Sequence, residues 1–221
     1  MKTLFMSDQY PCFCQALLQM EYSIIPSKNI DSVPIPERKH ADMQLLRIKN
    51  TVFTLKDCIR QPGSSYPDNV LLNGLFLDGK LYGKMSAIDP IVLDYCSAEQ
   101  IPVINVNQGY TRCSTLIINE HAAITADSSI ANALKYNGVE VLQISPGHIL
   151  LEGYDYGFIG GAGFCDGESV IFFGDISRHP DYQLIRTFCE KQHRTIRVIC
   201  KENPLTDIGG VVEINHETEL Y

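Results

Sequence analysis

One order of segments recurs along this 221-residue chain: strand, strand, helix, strand. A unit repeated at this length restricts the fold more than any other feature, because each copy can bury its apolar face only against the next. The clearest copy starts at Thr115–Asn119 (TLIIN) and continues with Ala122–Ala126 (AAITA), both rich in Ile and Thr as strands require. Asp127, Ser128 and Ser129 can then cap free N–H groups, Ile130 and Leu134 form a helical stripe, and Gly138 stops the helix before Val139–Ser145.

The same order returns downstream as Tyr156–Phe164, Ser169–Phe173, a helix from Pro180 to His193, and Thr195–Cys200. In that helix Tyr182, Ile185 and Cys189 share one face. Upstream it reads Asn69–Leu77, Lys80–Gly83, a helix near Pro90–Glu99, and Pro102–Val106. A shortened copy, Met43–Lys49 and Thr51–Leu55, is followed by Pro62, Gly63 and Pro67, which leave no room for a helix. The last copy is split. Gly210–Asn215 offers its first strand, and Thr3–Ser7, a helix with Phe13, Leu17 and Met20, and Glu21–Pro26 complete it. Joining both ends in one unit closes a ring without a free edge. The expected fold class is therefore α/β, a single domain over residues 1–221.

Composition narrows the partners. A net charge of −8 without a basic run argues against nucleic acid. No apolar run approaches the ~18 residues of a membrane span, and Met1–Tyr10 lacks the pattern of a secretory signal. With no signal, the eight cysteines read as reduced thiols of a cytoplasmic protein. No short-range cluster of ligands calls for a metal, and no cofactor motif is present. The expected partner is a small molecule, and the oligomeric state is left open.

Several motifs carry a resemblance. The segments QGYTRCS (Gln108–Ser114), SPGH (Ser145–His148), GYDYGFIGG (Gly153–Gly161) and PLTDIGG (Pro204–Gly210) resemble a branch of the pentein, or guanidine-modifying-enzyme, superfamily described only as a domain of unknown function. The resemblance covers essentially the whole chain. It implies an α/β propeller of five ββαβ modules with pseudo-fivefold symmetry, and functional residues at one end of a central channel. Arginine deiminases, agmatine deiminases and amidinotransferases of that superfamily use a Cys nucleophile, a His, and carboxylates that hold a guanidinium group. Their His-x-Asp/Glu element matches His40-Ala41-Asp42. Their nucleophile follows a glycine pair near the C-terminus. Here Gly209-Gly210 is followed by Val211, Val212 and Glu213, and no cysteine lies beyond Cys200.

Ring closure would bring together His40, Asp42 and Cys113 as catalytic candidates, with Asp68, Asn69, Tyr110, Arg112, His148 and Asp207 around a substrate. His40 can take a proton near neutral pH and Asp42 can orient it. Cys113 sits beside Arg112, whose charge would favour a thiolate; a small buried thiol packed at a strand start is the alternative. Asp207, before Gly209-Gly210, either holds a cation or stabilises a tight turn. The glycines 160, 161 and 163 read as a close backbone approach rather than a phosphate loop. Two functional readings stand side by side: a Cys/His-dependent hydrolase or amidinotransferase acting on a small guanidino or amidino compound, and a non-catalytic binding module on the same scaffold.

Overall fold

The computed structural model describes residues 2–214. Its elements in chain order are β1 (Thr3–Met6), α1 (Pro11–Gln19), β2 (Ser23–Pro26), β3 (Leu45–Ile48), β4 (Thr51–Thr54), β5 (Leu75–Leu77), β6 (Lys80–Gly83), α2 (Pro90–Ala98) and β7 (Val103–Asn105). They continue with β8 (Thr115–Asn119), β9 (Ala122–Thr125), α3 (Ser128–Tyr136), β10 (Glu140–Gln143), β11 (Gly163–Cys165), β12 (Ser169–Asp175), α4 (Tyr182–Lys191), β13 (Thr195–Pro204) and β14 (Val211–Ile214).

These strands form five small sheets, ordered β14-β1-β2, β3-β4, β5-β6-β7, β8-β9-β10 and β11-β12-β13. In each three-stranded sheet the first two strands pair antiparallel. A helix then crosses over to a third strand parallel to the second. The two-stranded sheet β3-β4 is the shortened copy, with no helix of its own. The split copy is real: β14 lies antiparallel to β1, Thr3 opposite Ile214 and Met6 opposite Val211. Asn215, the last residue of the strand expected over Gly210–Asn215, falls outside the described residues.

Five apolar clusters join these sheets in a closed cycle. Phe5, Leu45 and Ile214 link the split sheet to β3-β4. Ile48, Leu81 and Val92 link that sheet to β5-β6-β7 with α2. Leu77, Ala123 and Leu134 make the next junction. Ile118, Phe172 and Ile185 make the fourth. Leu4, Leu17, Phe164 and Phe173 return to the split sheet. Every helix buries its stripe in one of these junctions, so each module is held from both sides and no sheet is stable alone.

The helices start as the sequence requires. Asp127 accepts the Ile130 N–H at 2.9 Å, and Asp89 caps α2, where Pro90 occupies the first turn. Asp181, by contrast, turns away from α4 and accepts the Ser145 N–H. Three expectations change. The strand expected over Asn69–Leu77 contracts to β5, because the N–H groups of Val70 and Asn73 bond within turns to the carbonyls of Pro67 and Val70. The strand expected over Tyr156–Phe164 contracts to β11, because Gly157, Gly160 and Gly161 are consumed by close backbone contacts instead of a ladder. The cysteines are also not all reduced: Cys12 in α1 and Cys200 in β13 form a disulfide, and the other six are free. Cys12 and Cys200 are far apart in sequence and meet only because α1 packs on β13.

Asp89 does more than cap. Its fully buried carboxylate also accepts the N–H groups of Ile59 and Arg60, at 3.1 and 2.9 Å, and so anchors the helix-less segment. Asp127→Ala should therefore cost about 1 kcal/mol. Asp89→Ala, which strands three donors, should cost about 3 kcal/mol. Urea denaturation of both variants checks the ratio.

Candidate functional site

The loops that precede the first strands of four sheets converge on one small cavity of about 100 Å³, lined by Glu37, His40, Tyr110, Cys113, Leu151, Tyr154, Tyr156, Phe158 and Asp207. His40 ends a proline-rich segment whose 3-10 turn, Ile35–Glu37, presents Glu37 and His40 to the same side. Asp42 follows in a second such turn, Ala41–Met43, with its N–H bonded to the Gly209 carbonyl at 3.1 Å. Gly209 is required there: a Cβ would sit 2.2 Å from His40 Cγ, and its φ is +81°.

Asn73 welds two of these segments together. Its Nδ2 donates to the Asp42 carbonyl at 3.0 Å and to Cys113 Sγ at 2.9 Å. Its Oδ1 accepts from the backbone N–H groups of Arg112 and Cys113. Asp207 is pinned in a similar way. Its two oxygens accept the N–H groups of Phe158 (2.8 Å) and Gly209 (2.9 Å), and Gly161 leaves the space it occupies. The Gly209 bond is the side-chain-stabilised turn weighed for Asp207, and one face of the carboxylate still lines the cavity.

At the core of the site, one donor atom from each of His40, Asp42 and Cys113 lies within 4.8 Å of the other two, and all three residues are buried. Among the described residues, His40 Nε2 and both Asp42 oxygens lack a hydrogen bond of good geometry; the His40 ring and the Cys113 thiol are the polar neighbours of Asp42. Orphaned polar atoms this deep carry a desolvation cost that a ligand would relieve. These three side chains are also the ones that could hold a metal ion here.

Electrostatics set the protonation. Burial, reinforced by Asp207, raises the Asp42 carboxyl to about 6 against the opposing influence of His40, Cys113 and Arg112. Burial raises Asp207 as well, though His40 and the N–H groups of Phe158 and Gly209 counter it. The Cys113 thiol lies well above its ordinary value, first through burial and then through the charges of Asp42 and Asp207. This corrects the expectation that Arg112 would favour a thiolate: burial, followed by the two acids, sets the state of the thiol.

The other candidates separate. Tyr110 lines the cavity and donates to Glu37 at 2.9 Å; Asn69 stands one bond behind, donating to Glu37 at 2.7 Å. Asp68, its neighbour, is exposed and outside the cavity, since its backbone turns with Ser65 and Gly63. His148 is also exposed, with a φ of +62°, and its ring meets His179 rather than the site. Arg112 turns to the opposite side of the backbone from Cys113 and lines a different cavity.

Glu37 and Asn73 were not singled out by sequence. Glu37 accepts from Asn69, Tyr110 and Tyr154 while almost fully buried. Its one signal is the spacing Glu37-x-x-His40, which places both on one side of a tight turn.

A family model described as a family of unknown function, DUF6873, matches residues 48–212. No curated protein matches the chain by sequence. Among solved structures, the chain is similar to a dimethylarginine dimethylaminohydrolase variant solved as an adduct with S-methyl-L-thiocitrulline. The TM-score is 0.56 at 8% identity, covering 96% of this chain and 99% of that one. C. jejuni agmatine deiminase gives 0.52 at 8% identity, over 96% and 92% of the two chains. A variant of it with substrate bound gives 0.52 at 9%, over the same shares. At such identities the likeness shows the fold alone, and that fold is the pentein fold.

Asp42 provides a test of the site's electrostatics. A folded-state value of about 6 against 3.8 for the free group means that the folded protein retains a proton the unfolded chain has released. The stability involved is whole below the unfolded value and is lost as pH rises through 6. Asp42→Asn should thus raise unfolding stability at pH 7.5 by roughly 3 kcal/mol, the gain disappearing near pH 3.5. Denaturation at both pH values measures it.

Proposed function

The chain belongs to the DUF6873 family of unknown function and has the pentein fold, and on that premise we propose that its buried pocket binds a small guanidino or amidino cation and hydrolyses it through Cys113. In this reading the five sheets are the blades of a pseudo-fivefold propeller, and the pocket is one mouth of its central channel. The observation that carries the reading is the cluster of His40, Asp42 and Cys113, buried and mutually within 4.8 Å, in which His40 Nε2 and both Asp42 oxygens lack a hydrogen bond of good geometry among the described residues.

The rest of the pocket suits such a ligand. Glu37 and Asp207 on the wall supply carboxylates for planar N–H donors, with Asp42 beside His40 and Cys113. Tyr110, Tyr154, Tyr156 and Phe158 supply aromatic surface on which a delocalised cation can lie. A volume of about 100 Å³ suits a guanidinium head and excludes a bulky one. Charge also couples binding to reactivity. The acids that hold the thiol protonated are the ones a bound cation would neutralise, so the thiolate becomes accessible when substrate is present.

The proposed reaction balances without an added cofactor. For a guanidino substrate, the Cys113 sulfur adds to the central guanidinium carbon as its proton passes to His40. The C–N bond then breaks, and the departing ammonia or amine takes that proton. Water adds to the resulting thiouronium carbon, the C–S bond breaks, and a urea leaves with the thiol restored. The cysteine differs in chain position from that of the guanidine-modifying enzymes, since Cys113 precedes β8 and no cysteine follows Gly209-Gly210 in this sequence.

A binding role without chemistry is favoured by one observation, the full burial that, with Asp42 and Asp207, keeps the Cys113 thiol protonated against the Asn73 N–H that donates to its sulfur. A haloacetamidine, a cationic alkylating agent, separates the two. Catalytic design predicts that it modifies Cys113 at least tenfold faster than iodoacetamide, with Cys113→Ser unlabelled and Asp42→Asn slowed. Equal rates for the two reagents, read by peptide mass, would overturn the catalytic reading.

A further inference from the structure

A larger cavity among the described residues, about 980 Å³, is separate from the one that holds His40. It is walled by Leu4 of β1, Phe76 of β5, Leu116 of β8, Phe164 of β11 and Val211 of β14. The two cavities share no lining residue. Their positions follow from strand direction. Cys113 and Asp207 precede β8 and β14, whereas Asn119 and Glu213, at or near the far ends of those strands, line the large cavity. The small pocket therefore lies at the entrance of these strands, while the large cavity runs along them from Arg112 and Val211 to Asn119 and Glu213.

The charged groups that line this cavity are unequally paired. Of its carboxylates, Asp78 is held by Lys80 and His121, each at 2.9 Å, and Glu213 by Lys2 at 3.1 Å, while Glu120 is exposed. Its two arginines are not matched in this way. Arg112 donates to the Thr115 carbonyl at 3.0 Å, and Arg194 to the carbonyls of Ile118 and His193. Among the described residues neither forms an ion pair with a carboxylate. Both are half-buried. A guanidinium bonded only to carbonyls in a partly apolar enclosure retains most of its capacity for an anion.

We infer that this cavity is a second ligand site, for a small amphiphilic carboxylate whose head pairs with Arg112 and Arg194 and whose aliphatic body lies along the walls of β5, β8, β11 and β14. The volume suits a small-molecule site. The apolar walls account for the body, and the unpaired arginines in a chain of net charge −8 account for the head. This site also gives Arg112 a role that its neighbour Cys113, facing the other cavity, does not share. It stands independently of the chemistry proposed for that pocket.

Octanoate is the probe, with octanol as its neutral counterpart. Calorimetry on the full chain should show one saturable octanoate site and at least tenfold weaker binding of octanol. Arg112→Met should weaken octanoate at least tenfold, and Arg194→Gln three- to tenfold. Cys165 lines this cavity and is free, so saturating octanoate should slow its alkylation by N-ethylmaleimide at least fivefold. Haloacetamidine labelling of Cys113 should not change. Octanol binding as tightly as octanoate, wild-type affinity in Arg194→Gln, or unprotected Cys165 would each overturn the proposal, whatever the fate of the other pocket.

Discussion

The pairing of β14 with β1 is the constraint on which the rest depends. It joins strands from the two ends of the chain, and it is the step that turns a row of sheets into a cycle of shared cores. It also delivers function, because Asp207, Gly209 and Gly210 lead directly into β14. Their place beside His40 and Asp42 is inherited from the register of Val211 opposite Met6. A slip of one residue would turn the strand over and send its apolar side chains to the wrong face.

Much of the architecture was legible because the signals are local. Thr115 to Tyr136 announces two strands, a capping aspartate and a helix within one short stretch, and α3 begins and ends where those residues direct. The segment from Tyr156 was misread as a strand because its glycines resemble ordinary strand interruptions. Their reason lies in the distant Asp207, whose Oδ1 would be 1.8 Å from a Cβ at Gly161. The same limit hid Glu37 and Asn73. A buried Asn is informative only when its partners are known, and those of Asn73 include the Asp42 carbonyl and Cys113, both remote in sequence. His40, Asp42 and Cys113 were accessible through motifs. The sidedness of Arg112 and the exposure of Asp68 and His148 were not, since adjacent residues at a strand entrance diverge according to backbone path.

The pocket concentrates unfavourable electrostatics. Three carboxylates, an imidazole and a thiol crowd together in a buried space, and the Asp42 oxygens are left without a donor of good geometry, an arrangement that a fold selected for stability alone would avoid. Burial raises two of the acids and the thiol together, so each opposes the ionisation of the others. One added positive charge would ease all three. The closed cycle of cores is what keeps such groups facing one another, since any relaxation would have to open a packed junction between sheets.

The Cys12–Cys200 disulfide has a topological consequence. It gathers most of the chain into one covalent loop, from which β1 and β14 emerge as two tails with a common origin. The strands that close the cycle are thereby partners on a short tether, meeting at high effective concentration despite their separation along the chain. In the oxidised protein the last junction resembles a hairpin whose turn is a sulfur bridge.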